Sequence, residues 1–125
     1  MPRHSHEDVA PNVTFAEQRE MDADGPIILL NTFIVREGDE AGMLETWRED
    51  ALVMKSQPGF IATQLHQAVG APNVIVNYAV FESLEAYRNA WNNPEFQVLL
   101  TKSPEGAVAR PVLLQKVAVP GVCIA

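Results

Sequence analysis

The chain has one cysteine, Cys123, among its 125 residues. No internal disulfide can form, and a single thiol builds no zinc cluster. Long apolar runs are also missing: none approaches the roughly 20 residues that a membrane-spanning helix requires. The opening residues Met1, Pro2, Arg3, His4, Ser5 and His6 have no apolar stretch behind the basic residue, so they do not read as a secretory signal. Basic side chains are few. Nine Lys and Arg stand against sixteen Asp and Glu, for a net charge of −7. That leaves no cationic stripe for nucleic-acid phosphates and nothing to hold an anionic membrane surface. A glycine-rich phosphate loop, a G-x-S-x-G elbow and an H-E-x-x-H pair are all absent. These absences predict a cytoplasmic protein that binds neither nucleic acid nor membrane and has no metal of its own. Hydrophobic residues at 47% are enough for one core, and the length fits one small domain.

Residues 1–25 differ from the rest. Pro2, Pro11, the acids Glu7, Asp8, Glu17, Glu20, Asp22 and Asp24, and the closing Gly25-Pro26 read as a flexible N-terminal arm. A short strand around Val13-Thr14-Phe15 is expected, laid on a partner subunit. His4 and His6 could supply half of a metal site, but no third ligand lies near them in sequence. Residues 26–120 form the expected domain, and 121–125 a C-terminal tail.

Within the domain, Ile27 to Val35 reads as a strand apolar on both faces. Asp39 is the expected N-cap of a helix running to about Lys55, with an inward stripe of Met43, Leu44, Trp47, Ala51 and Met54. Glu45, Arg48, Glu49 and Asp50 read as its solvated face. Gln57-Pro58-Gly59 stops that helix. Strands are expected over Phe60 to Gln67 and Val74 to Phe81. Ser83 caps a helix carrying Leu84, Tyr87 and Trp91, and Asn93-Pro94 opens a further helical turn. Arg110 to Val119 is the last expected strand. The order predicts an α+β, ferredoxin-like β-α-β-β-α-β fold, with a four-stranded antiparallel sheet and helices on one face. Two helices cover only one face, so the other calls for a second subunit, and a homodimer is expected.

Candidate functional residues are those that interrupt the apolar pattern. Asn31 lies mid-strand among Leu29, Leu30, Phe33 and Ile34. A buried amide without a partner costs roughly 1–3 kcal/mol, so protein, water or ligand must satisfy it. Asn77 repeats the pattern, sharing a face with Ile75, Ala79 and Phe81 at a period of two. Ala79 leaves space there, Phe81 offers a flat surface and Asn77 orients a polar group. Tyr87 could bring a hydroxyl to the same space. Phe33, Trp47 and Trp91 would complete an aromatic lining. His66, the only histidine of the folded part, is a candidate general base.

Several of these residues carry a resemblance. Gln57-Pro58-Gly59-Phe60, then Val76-Asn77-Tyr78-Ala79-Val80-Phe81-Glu82-Ser83 and Glu85-Ala86-Tyr87-Arg88, resemble the antibiotic biosynthesis monooxygenase family of dimeric α/β barrels. Within it the likeness is to the small actinorhodin- and nogalamycin-type enzymes, which oxidise anthrones and phenols to quinones without a cofactor. The resemblance implies an O2-dependent monooxygenase acting on a polyketide-like aromatic. It also implies that Asn31 and Asn77 are pocket amides and Tyr87 a substrate-contacting phenol. One position departs: Phe81 stands where these oxygenases carry a tryptophan, which removes an indole N–H. Haem is not expected, because the helix position that would supply the axial histidine is Leu100. Members of the same fold also serve as non-redox ligand binders, cyclases or isomerases, an alternative that the amides and the phenol would equally suit.

Overall fold

Alternating burial along Ile27–Ile34 marks a strand at the centre of a sheet, one side fully packed and the other half-covered. A computed structural model describes residues 5–125 and contains strands β1 (Ser5–His6), β2 (Ile27–Ile34), β3 (Phe60–Ala68), β4 (Ala71–Phe81) and β5 (Val108–Leu114). The helices are α1 (Phe15–Arg19), α2 (Glu40–Lys55), α3 (Leu84–Trp91) and α4 (Pro94–Leu99). The sheet order is β1-β5-β2-β4-β3. The four long strands pair antiparallel in the ferredoxin-like arrangement that the sequence predicts. The addition is β1, which joins β5 in parallel at the sheet edge.

That edge strand comes from the arm, and its packing corrects the reading of residues 13–15 as a strand. Thr14 is instead the N-cap of α1, in a reciprocal capping box with Glu17. Phe15 is 4% exposed and enters the core beside Leu29, Phe81 and Tyr87. Three sets of bonds hold the arm on the sheet. The Gln18 side chain donates to the Leu113 carbonyl at 3.1 Å and accepts from its N–H at 3.0 Å, as a strand neighbour would. Arg88 donates to the carbonyls of Arg19 and Met21. Arg110 lies 2.8 Å from Glu7.

Local chemistry explains the remaining elements. Pro111 sits inside β5 at no cost to the β2 ladder. It has the parity of Ala109 and Leu113, whose backbone groups bond Glu7 and Gln18 on the outer side, so the N–H it lacks is not one β2 needs. Asn93 caps α4 by accepting from the N–H groups of Glu95 and Phe96. Asp39 occupies the cap position of α2 without a capping bond, and Glu40 accepts from Gly38 N–H instead. Gly59 has φ +86°, and a Cβ there would lie 2.5 Å from the Ala86 Cβ, so the turn into β3 needs glycine.

Strand boundaries differ from expectation: β4 begins at Ala71 rather than Val74, and β5 at Val108 rather than Arg110. A bulge between Phe60 and Ala62 adds one residue to β3, which reverses the period-two phase and puts Thr63, not Ala62, on the helix side. β5 ends at Leu114, and 115–125 form an exposed tail with one bridge between Val119 and Cys123. No helix among the described residues is long and apolar enough to cross a membrane.

Candidate functional site

The space between the sheet and its helices is a cavity of about 70 Å³ with a mouth open to solvent. Its floor is the inner face of the two central strands. Asn31 and Asn77 are direct cross-strand partners there, flanked by Leu29 and Phe33 on β2 and by Ala79 and Phe81 on β4. Side chains at directly paired positions stand about 5 Å apart at Cβ, so the two amides form one polar spot in an apolar floor. Thr63 fixes one of them: its hydroxyl lies 3.0 Å from Asn77 Oδ1 and 3.1 Å from the Tyr78 carbonyl, serving one acceptor at a time. The carbonyl end of Asn77 is thereby engaged, and its N–H groups are left to serve the cavity. Asn31 Oδ1 is buried with no partner.

The helices supply the roof and walls. Met43, Trp47, Asp50 and Met54 line the cavity from α2, and Tyr87 and Trp91 from α3. The rings pack edge to face: Phe81 and Tyr87 centroids are 5.2 Å apart, Phe60 and Phe81 5.7 Å, Phe15 and Trp91 5.5 Å. Arg19 closes this end from outside, its guanidinium 4.1 Å from the Trp91 ring centroid and 4.6 Å from that of Phe15.

Tyr87 is 1% exposed, and burial pushes its phenol well above the ordinary tyrosine range, opposed only in part by Arg19. It is a neutral O–H at working pH, able to donate but not to act as a phenolate base. His6 reaches the cavity from β1. Burial, then the charge of Arg19, lowers its pKa, while Asp8 raises it.

Of the residues singled out by sequence, Asn31, Asn77, Phe33, Trp47, Ala79, Phe81, Tyr87 and Trp91 meet around this cavity. His66 does not: it is exposed on β3, with Nδ1 3.2 Å from the Val76 carbonyl, and is not among the lining residues. Three contributors lie outside the site read from sequence. Phe15 and His6 come from the segment read as a flexible arm, where acids and prolines masked a lone aromatic. Asp50, read as part of a solvated face, turns inward, and burial first, then Glu49, raises its pKa to about 7. Its spacing signalled this: position 50 is three after Trp47 and four before Met54, on the inward stripe. His4 lies outside the described residues, and among those described no group of three or more His, Cys, Asp or Glu side chains is arranged to hold a metal.

Residues 26–101 match the antibiotic biosynthesis monooxygenase family. The fold is similar to that of SnoaB, a cofactor-independent oxygenase from Streptomyces nogalater, with 23% identity, a TM-score of 0.71, and coverage of 78% of this chain and 99% of that one. It is also similar to a candidate monooxygenase from Shewanella loihica PV-4, at 28% identity and a TM-score of 0.66, covering 78% and 100% of the two chains. A comparison with curated proteins gave no match. The family match begins at residue 26, so the segment that carries Phe15 and His6 to the cavity precedes it.

Proposed function

The chain belongs to the antibiotic biosynthesis monooxygenase family, and from that membership we propose that it is a cofactor-independent monooxygenase converting an aromatic substrate to a quinone with O2. The substrate is an anthrone, phenol or hydroquinone of polyketide type. The observation that carries the reading is the facing pair Asn31 and Asn77 at the floor of an aromatic-lined cavity. The description of SnoaB as a cofactor-independent oxygenase lends support.

An ionised anthrone is electron-rich enough to give one electron to O2 directly. The carbon radical and superoxide then combine to form a C–O bond. Protonation gives a hydroperoxide; its remaining C–H bond breaks as the O–O bond cleaves, the proton leaving with hydroxide as water, and the new carbonyl is formed. One oxygen atom ends in the quinone and the other in water. The protein has to favour the anion, hold it against O2 and keep bulk water away. Asn77, its carbonyl end engaged by Thr63, donates N–H to the oxyanion; the dry surroundings strengthen that bond. Tyr87 offers a second neutral donor. Phe81, packed between Phe60 and Tyr87, gives the substrate ring an apolar wall.

Oxygen uptake by metal- and flavin-free protein with dithranol, corrected for autoxidation, tests this. Uptake should exceed the protein-free blank and fall about 10–100-fold in Asn77→Ala, the worth of a hydrogen bond to a charged oxygen. Saturable dithranol binding without uptake above the blank would instead support the non-redox binding or cyclase reading.

The enzyme acts in the cytoplasm as a homodimer in this proposal. The outward face of the sheet carries Ile28, Leu30, Ile34, Val76, Tyr78 and Val80, all half-exposed, an apolar face that a second copy would cover. Sedimentation should return twice the 13.8 kDa mass of the chain; a monomer at micromolar concentration would refute the dimer.

A further inference from the structure

Among the described residues Asp50 is the one carboxylate that lines the cavity, and its Oδ1 is buried without a hydrogen-bond partner. Such an oxygen is costly unless something arrives to use it. Among the described residues no Lys or Arg lines the cavity to neutralise it. The other titratable groups there are His6 on β1 and Tyr87 on α3. Its neighbour Glu49 adds like charge from α2 and lies with Glu95 and Lys102 along a separate surface groove. The strand β3, packed on α2, presents the uncharged Thr63 to the cavity.

We propose that Asp50 is the catalytic base, taking the ionisable proton of the aromatic substrate and returning it to the peroxide formed with O2. The assignment deepens the oxygenase reading and rests on it. In the first step the substrate C–H or O–H bond breaks, its electron pair stays on the substrate, and an O–H bond forms on the carboxylate. In the last, that proton passes to the peroxide oxygen, so the carboxylate is regenerated as water leaves. Burial makes the group a far stronger base than a solvated aspartate. The second orphan acceptor, Asn31 Oδ1, narrows the substrate class. It takes a hydrogen-bond donor, which a free phenolic hydroxyl beside the group that ionises would supply.

Dithranol has both features, and its anion and neutral forms differ in absorbance. Under nitrogen at neutral pH, the wild-type protein should bind it as the anion and Asp50→Asn as the neutral form, with Asp50→Glu partly restoring ionisation. In air, turnover by Asp50→Asn should fall about a hundredfold, with less than about a threefold change in dithranol affinity, and should recover at alkaline pH, where solution hydroxide ionises the substrate. Equal ionisation by Asp50→Asn and wild type, or wild-type protein that leaves dithranol neutral, overturns the proposal. Ionisation is read without O2. Intact ionisation with no wild-type uptake in air would therefore overturn the oxygenase reading while leaving the proton transfer standing.

Discussion

Phe15→Ala is expected to lower folding stability by about 3–5 kcal/mol, the usual cost of emptying a buried phenylalanine site. Residue 15 belongs to a five-residue helix that could not stand alone in water. Its ring nevertheless meets Trp91 at 5.5 Å and Tyr87 at 6.3 Å, under the Arg19 guanidinium. Truncation would leave a hole that neighbours on the strands cannot close, because β2 and β4 fix them from both sides. It would also unseat Arg19 from Trp91. Urea denaturation followed by Trp fluorescence reads both effects. A loss below about 1 kcal/mol would show that the segment before residue 26 rests on the domain without completing its core.

The second large effect has the opposite sign. Asp50→Asn should stabilise the protein by roughly 4 kcal/mol above neutral pH. A carboxyl that titrates near 7 when folded and near 3.8 in the open chain keeps its proton in the native state after the unfolded chain has lost it. Native protein therefore binds more protons between those values, and stability falls as pH rises through them. The cost is absent below about pH 4 and complete above about pH 7, and each tenfold difference in proton affinity is worth about 1.4 kcal/mol. Replacement by the neutral amide removes that slope. Thermal denaturation of both forms across this range should show curves that meet in acid and diverge toward neutrality. Parallel curves would mean that Asp50 is ionised and compensated in the native state. Together with the loss of turnover expected above, a more stable and inactive variant would identify strain held at a working group.

The two central strands were legible because apolar residues ran through them and the amides stood out as exceptions. Asn31 and Asn77 could be picked from sequence for that reason, and register then brought them face to face. Asp50 was not picked because a carboxylate next to Arg48 and Glu49 reads as solvent-facing, although helical phase placed it on the inward stripe. His66 failed through the bulge at Phe60/Ala62, which period-two counting cannot see. Phe15 failed because residues among acids and prolines carry no periodicity; the contacts that fix it come from β5 and α3, some 70 to 100 positions away.

The bidentate pairing of Gln18 with Leu113 sets an order of events during synthesis. The early segment can find its β5 partner only after a further 95 residues have been made, and the Arg88 donor only after a further 69. The sheet can begin with the β3–β4 hairpin, whose ends are close in sequence, as local contacts form first. The wall containing Phe15 and His6 is thus added last. Until then the apolar interior stands open at that end, and the nascent chain is most exposed to wrong association.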